Sequence, residues 1–268
     1  MMADFIVIIP ARFASTRYPG KPLVPLTGAS GQRKSLIQRS WECASAVPGC
    51  RGVWVATDHA GIAHEVESFG GKVVMTSPDC ANGTERCAEA VARLKLDLDI
   101  VVNLQGDAPL TPAHLVPALV DRLHDDPETA MATPAVRCTA STYSHLASDV
   151  AAGRVGGTTV VMDAQSRALY FSKRLIPYID PARGLEMASS CHLHLGVYAY
   201  RRPALEAYAA AGSSDIEQLE GLEQLRFLHL GMPVSVVAAE PFGWDPIELN
   251  NPSDVPVIER LLQQRGVE

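Results

Sequence analysis

Three cations in one loop, Arg12, Arg17 and Lys21, carry the clearest chemical purpose in this 268-residue chain. They lie in I-I-P-A-R-F-A-S-T-R-Y-P-G-K-P-L, from Ile8 to Leu23, directly after the apolar run Phe5 to Ile9. The small residues Ala11, Ala14, Ser15 and Gly20 let the backbone approach phosphate oxygens while the cations neutralise them. That is the chemistry of polyphosphate binding. An isolated basic loop on the surface is the plainer alternative, and cations interleaved with Pro and Gly after an N-terminal strand count against it. Neither G-x-G-x-x-G nor G-x-x-x-x-G-K-[ST] occurs, so a dinucleotide fingerprint and a Walker-type loop are both unsupported.

A second centre of chemistry is Asn103-Leu104-Gln105-Gly106-Asp107-Ala108-Pro109, which sets a carboxylate just past a buried strand. A hard cation such as Mg²⁺ takes oxygen ligands, often one or two carboxylates plus substrate phosphates. An Asp that only stabilises its own turn is common, but a place at the ligand-binding edge of a sheet favours the metal role for Asp107. Asn82-Gly83-Thr84-Glu85-Arg86 opens a helix, where backbone N–H groups and the dipole favour an anion or a base carbonyl. A plain N-cap fits those residues equally well. Glu217 to Arg226, E-Q-L-E-G-L-E-Q-L-R, reads as an amphipathic helix with Leu219, Leu222 and Leu225 on its buried side. His192 and His194 share one strand face; with no third ligand beside them, the pair reads as ordinary packing.

The elements that must position these residues follow a β-α-β-α alternation. Strands are expected at Phe5–Ile9, Gly52–Thr57, Lys72–Met75 and Ile100–Leu104, with helices at Lys34–Ala46, His59–Phe69, Thr84–Leu94 and Pro112–His124. Such alternation implies a parallel sheet covered by helices, with ligands beyond the carboxyl ends of its strands. The loop after Phe5–Ile9, the pair Thr57-Asp58, the segment opening at Asn82 and the Gln105-Gly106-Asp107 turn all sit at such ends. Later strands at Ala130–Val136, Thr158–Met162, Ala168–Ser172 and His194–Tyr200 lack regular crossover helices and suggest antiparallel pairing. Helices follow at Pro203–Ala211, Glu217–Leu230 and Val255–Arg265. The expected fold class is therefore α/β: a doubly wound, mostly parallel sheet with an inserted antiparallel layer. The expected organisation is one domain, its regular alternation over about 1–125 and the inserted antiparallel layer within about 126–268.

Composition excludes several classes. A hydrophobic fraction of 47% with 20% charged residues is ordinary for a globular chain. A net charge of −7 argues against a broad nucleic-acid surface. The apolar runs are too short to span a bilayer, and the N-terminus has no basic segment of a signal peptide, so a cytoplasmic protein with no membrane partner is expected. The six cysteines include no C-x-x-C pair, which speaks against a zinc site or a disulfide framework.

The loop P-A-R-x-x-S-T-R-x-P-G-K-P-L resembles the signature of the 3-deoxy-manno-octulosonate cytidylyltransferase family. V-A-T-D at 55–58, G-G-K-V-V-M-T at 70–76, the Q-G-D turn, A-L-Y-F-S at 168–172 and L-E-Q-L-R at 222–226 extend the resemblance from Phe5 to about Arg260. It implies a Mg²⁺-dependent transfer of CMP from CTP to an acidic sugar, with pyrophosphate released. CTP would lie over Ala11, Arg12, Ser15, Arg17, Lys21, Asn82, Gly83, Arg86 and Gln105. Arg12, Lys21 and Asp107 would be catalytic, and Asp107 with Asn250 would hold the metal. His194, Glu223 and Gln224 would contact the acceptor. The resemblance also implies a nucleotide-binding part over about 1–125, an acceptor and dimerisation part over about 126–268, and a homodimer built through the antiparallel layer.

Departures from the family pattern cluster on the acceptor side. N-x-x-K-V-V becomes G-G-T-T-V-V, with Gly156 and Thr159 at the altered positions; S-R-x-x-I-P becomes Ser172-Lys173-Arg174-Leu175-Ile176-Pro177; and a basic residue becomes Leu193. The aspartate expected to complete the metal site is Asn250, which offers a carbonyl oxygen without charge, with Glu248 or Asp245 as possible substitutes. The acceptor reading therefore stays open among 3-deoxy-manno-octulosonate, its 8-amino analogue, another 2-keto sugar acid and a phosphonate. A CTP-binding protein without catalysis is a further alternative, and a nicotinamide oxidoreductase is disfavoured by the missing glycine fingerprint.

Overall fold

The computed structural model describes residues 5–14, 18–244 and 247–268. Apolar, β-branched runs form its first strands. In chain order the elements are β1 (Phe5–Ala11), the short hairpin β2 (Pro25–Thr27) and β3 (Arg33–Ser35), α1 (Leu36–Ser45), β4 (Cys50–Thr57), α2 (Ala60–Ser68), β5 (Lys72–Met75), α3 (Gly83–Leu94) and β6 (Ile100–Leu104). Every residue of β6, and every residue of β1 except Pro10, is buried. Strands buried at successive positions are covered on both faces, as parallel strands flanked by helices are. The order is β5–β4–β1–β6, and all three pairings are parallel.

That order has a functional consequence. The chain steps outward from β1 to β4 and β5, then returns past β1 to form β6. The loops that leave β1 and β6 therefore diverge, and a crevice opens between them at the carboxyl ends of the strands. These are the loops that carry Lys21 and Asp107.

The chain divides into two compact units, residues up to Pro117 with the C-terminal stretch to Glu268, and Ala118 to Trp244. The last helix thus belongs to the first unit, although the sequence reading groups it with the acceptor part. Leu249, Ile258 and Leu262 are fully buried with Leu26, Leu36 and Leu110, so an apolar stripe draws the C-terminus back.

After α4 (Leu115–Asp125), the second unit contains β7 (Met131–Arg137), α5 (Ala140–Ala151), β8 (Thr159–Met162), β9 (Ala168–Ser172), β10 (His192–His194), β11 (Val197–Arg201), α6 (Arg202–Ala210), α7 (Asp215–Glu220), α8 (Leu225–His229) and β12 (Val234–Ala239); α9 (Val255–Arg265) closes the chain in the first unit. Within the second unit β7 pairs antiparallel with β10 and β11 and parallel with β12, while β8 pairs antiparallel with β9 and β10. The expected α/β class, mostly parallel with an antiparallel layer, is the one observed.

Three local expectations need correction. The strand expected over His194–Tyr200 is two strands on the same partner, β10 and β11, separated at Leu195-Gly196, where Val197 N–H donates to Leu195 O at 2.7 Å. The helix expected over Glu217–Leu230 is broken into α7 and α8, because Gly221 takes the left-handed conformation (φ 60°) that ends α7. Leu219, expected on its buried side, is 85% exposed, whereas Leu222 and Leu225 are buried. Among the described residues no helix is long and apolar enough to cross a membrane.

Candidate functional site

Lys21 Nζ and Asp107 Oδ2 lie 2.6 Å apart at the crevice between the loops after β1 and β6. Lys21 sits in a short 3-10 turn with Pro22 buried beneath it. The Asp107 turn is anchored from below: Ser40 Oγ of α1 donates to Gly106 O at 3.0 Å. On its other side Leu249 N–H donates to Asp107 O at 2.8 Å. That bond brings Glu248 and Asn250 to the Asp107 turn. Asn250 Nδ2 donates to Glu248 Oε2 at 3.4 Å, and its backbone N–H donates to Asp254 at 2.9 Å.

The donor set suits a hard cation. Among the described residues no group of three His, Cys, Asp or Glu side chains converges as a ready-made cage. Mg²⁺ needs none, since it binds one or two carboxylates and fills the rest with water and substrate phosphate. Asp107, with the carbonyl of Asn250 or the carboxylate of Glu248, could supply such a set.

Beside this pair stands the N-terminus of α3. Asn82 caps it, its side-chain oxygen accepting from Glu85 N–H at 2.9 Å. Gly83 lets the helix approach the β6 loop closely, since a Cβ there would lie 3.2 Å from Gln105 Nε2. Arg86 is 2% exposed, and its guanidinium is held within the fold. It donates to Asp58 Oδ2 at 3.0 Å and to Thr76 Oγ1 at 2.6 Å, tying α3 to the ends of β4 and β5. Arg12 is exposed just past Ala11, the buried last residue of β1. Ser15, Arg17 and Asp245 lie outside the described residues.

The cytidylyltransferase family model matches residues 6–234. A 3-deoxy-manno-octulosonate cytidylyltransferase of Maricaulis maris is 41% identical over 97% of this chain and 98% of its own. The chain belongs to the 3-deoxy-manno-octulosonate cytidylyltransferase family. A second such protein, from Chlamydia abortus, is 40% identical over 95% of this chain and 92% of its own. An 8-amino-3,8-dideoxy-manno-octulosonate cytidylyltransferase of Shewanella baltica is 38% identical over 96% and 97%. Among solved structures, CMP:2-keto-3-deoxy-manno-octonic acid synthetase complexed with CTP superposes with a TM-score of 0.83 at 34% identity, covering 98% of this chain and 100% of that one.

The residues that the family resemblance implies for the acceptor, His194, Glu223 and Gln224, lie in the second unit. His194 is buried in β10, where Phe171 meets its ring edge-on at 5.2 Å and Tyr198 flanks it at 5.6 Å. Thr133 Oγ1 donates to Val197 O at 2.8 Å, so the same hydroxyl accepts from His194 Nε2–H at 2.9 Å and fixes the tautomer. Burial pushes the His194 pKa down from 6.5 to about 3, which keeps the imidazole neutral. Gln224 is buried with Tyr198 OH 3.5 Å from its Oε1, and the Glu223 carbonyl accepts from Tyr208 OH at 3.2 Å.

Two neighbours of that motif are structural. Arg226 is 1% exposed and makes a two-pronged pair with Glu217, both N–O distances being 2.7 Å. Glu220 binds Ser172 Oγ at 2.7 Å and Lys173 N–H at 3.0 Å. The sequence reading assigned no role to Asp58, Phe13, His59 or Tyr198. For Asp58 and His59 the available signal was their place directly after β4, at the same sheet edge as the other polar clusters.

Proposed function

We propose that this chain transfers CMP from CTP to 3-deoxy-manno-octulosonate and releases pyrophosphate. The observation that carries the reading is the Lys21–Asp107 pair at 2.6 Å, standing where the sheet order reverses, in a chain 41% identical to a protein of that activity. Arg12 and Lys21 would neutralise the triphosphate and the charge that develops on departing pyrophosphate. Gln105 and the α3 N-terminus at Asn82 and Gly83 would take the base and ribose. Asp107, with Asn250 or Glu248, would hold Mg²⁺, which supplies charge neutralisation at phosphate oxygens. An acceptor hydroxyl attacks the α-phosphorus in line, and the protein's work is positioning and electrostatic stabilisation.

His194, Glu223 and Gln224 would line the acceptor. His194 is neutral, so it serves as a hydrogen-bonding wall and not as a charge. The 8-amino analogue is the second acceptor reading, because relatives with that name reach 38% identity across nearly the whole chain. A homodimer belongs to the same proposal; Leu169, Leu185, Leu219 and Tyr178, all exposed on the second unit, support it. Sedimentation at micromolar concentration tests that part.

The enzymatic test is pyrophosphate release from CTP and Mg²⁺ with 3-deoxy-manno-octulosonate, its 8-amino analogue, sialic acid and simple phosphonates. Release with the first acid, and none without an acceptor, is expected. Release with only the 8-amino acid moves the specificity to that substrate. Silence across the panel with CTP still bound overturns the transferase in favour of a CTP-binding role.

A further inference from the structure

The phosphate loop is clamped at a point the reaction chemistry does not explain. Phe13, one residue past Arg12, stacks on His59, with ring centroids 4.0 Å apart and planes 14° from parallel. His59 follows β4, so the stack joins the loop after one strand to the loop after its neighbour. The Phe13 backbone adds two bonds. Its N–H donates to Asp58 Oδ1 at 3.4 Å, and its carbonyl accepts from Gly20 N–H at 3.0 Å. The second bond closes the loop immediately before Lys21. Gly20 has φ +70°, and a Cβ there would lie 3.3 Å from the Phe13 ring, so ring and turn are fitted to one another.

Asp58 is in turn held by Arg86 at 3.0 Å. The cationic loop is therefore fastened at Phe13 by a ring and two backbone bonds, all on residues that carry no phosphate-binding charge. A ring stack of this kind adds little to global stability beyond the area it buries. Its effect falls on the population of one loop conformation. A ligand that binds only that conformation is weakened by the fraction of time the loop spends elsewhere.

We propose that the Phe13–His59 stack is a positioning device for the nucleotide triphosphate, holding the segment that carries Arg12 and Lys21 in its binding conformation before CTP arrives. This rests on the CTP reading above. The two residues are positioning residues and touch no reacting atom. Loss of the stack raises the dissociation constant and KM for CTP by about three- to tenfold, with kcat and the acceptor KM changed much less.

His59 has a second job that a test must separate. Its Nδ1 accepts from Gly61 N–H at 3.1 Å and caps α2. His59→Asn keeps a capping acceptor and removes the ring, whereas His59→Tyr keeps a ring and removes that acceptor. Phe13→Ala removes the other ring, and Phe13→Tyr keeps it.

CTP affinity by calorimetry and thermal midpoint by circular dichroism are measured on wild type and all four variants. Phe13→Ala and His59→Asn are expected to weaken CTP binding with midpoints near wild type; Phe13→Tyr and His59→Tyr are expected to retain affinity. Unchanged affinity in Phe13→Ala overturns the proposal, as does weakened binding in His59→Tyr with none in His59→Asn, which would assign the effect to the helix cap. Wild-type protein is the control for the underlying reading. If it binds another nucleoside triphosphate in place of CTP, the substrate reading fails and the stack is judged with that nucleotide. If it binds none, both fall.

Discussion

Lys21 donates to Asp107 across 2.6 Å, the cation coming from the loop after β1 and the carboxylate from the turn after β6. Both side chains keep partial exposure, 15% and 22%, so each can turn to water or to a ligand when the pair opens. A cation and a carboxylate left within reach of solvent at a topological switch point are placed to meet a ligand. The contact holds a cation and the carboxylate proposed to bind the metal side by side at the crevice.

Asp107→Ala should therefore separate activity from stability. Pyrophosphate release should fall by about a hundredfold or more, as when a preorganised electrostatic group is removed. The urea midpoint should fall by much less than for a fully buried pair, because Lys21 can turn to water once its partner is gone. Steady-state kinetics alongside urea titration makes the comparison, and near-normal turnover in the variant would remove the central claim of the mechanism.

Glu217→Ala should do the reverse. The Arg226 guanidinium is buried, stacked 4.1 Å over the Tyr208 ring, and paired with Glu217 through two bonds. Removing the carboxylate leaves a buried charge uncompensated, which costs about 3–5 kcal/mol. Denaturant unfolding should show that loss, with CTP affinity retained in the protein that remains folded. A neutral effect on stability would mean that Arg226 reaches water in solution.

These two cases show how unevenly the sequence exposes its own structure. Lys21 and Asp107 could be read because each follows a buried, mostly apolar strand, and strands of that kind end at ligand-binding edges. β5, β6, β9 and α9 were legible to the residue for a similar reason: apolar runs or stripes bounded by Gly, Pro or polar turns. The helix α5 was not, because its residues are mostly small and polar and only Tyr143, Leu146 and Asp149 are buried. The hairpin β2–β3 has only three residues in each strand, too few to show an alternation. β12 was visible as an apolar run but carried nothing to say that it would pair with β7. The Asp58–Arg86 bond and the Phe13–His59 stack were out of reach altogether. Both depend on which loops the parallel sheet brings together, and no local pattern encodes that.

His194 makes a prediction about pH. Its folded pKa is about 3, and the unfolded side chain should titrate near 6.5. Between those values the unfolded chain binds a proton that the folded chain refuses. The contribution of His194 to stability is therefore complete above pH 6.5 and is lost progressively as pH falls toward 3. Urea unfolding at pH 7 and pH 4.5 should show wild type losing more stability than His194→Asn across that interval. Parallel losses in the two proteins would mean the imidazole is not buried as described. Because the ring stays neutral, the pH–rate profile should show no His194 ionisation between pH 5 and 8.

Asn250→Asp tests whether position 250 takes part in metal binding as proposed. The Leu249 N–H bond to Asp107 O holds this segment against the Asp107 turn, so a carboxylate introduced at 250 would add charge beside the proposed cation site. Tighter Mg²⁺ dependence of pyrophosphate release should follow, with half-saturation several-fold lower. The same change sets a new carboxylate near Glu248, which Asn250 now contacts at 3.4 Å through its amide. Without metal the two anions repel, so the thermal midpoint should fall slightly. Added Mg²⁺ should restore it, because a ligand that binds only the folded state stabilises that state. Thermal denaturation with and without Mg²⁺, read beside the Mg²⁺ titration of activity, distinguishes the cases. A lower midpoint that Mg²⁺ fails to recover, with unchanged Mg²⁺ dependence, would place Asn250 outside the metal site and leave Glu248 as the partner of Asp107.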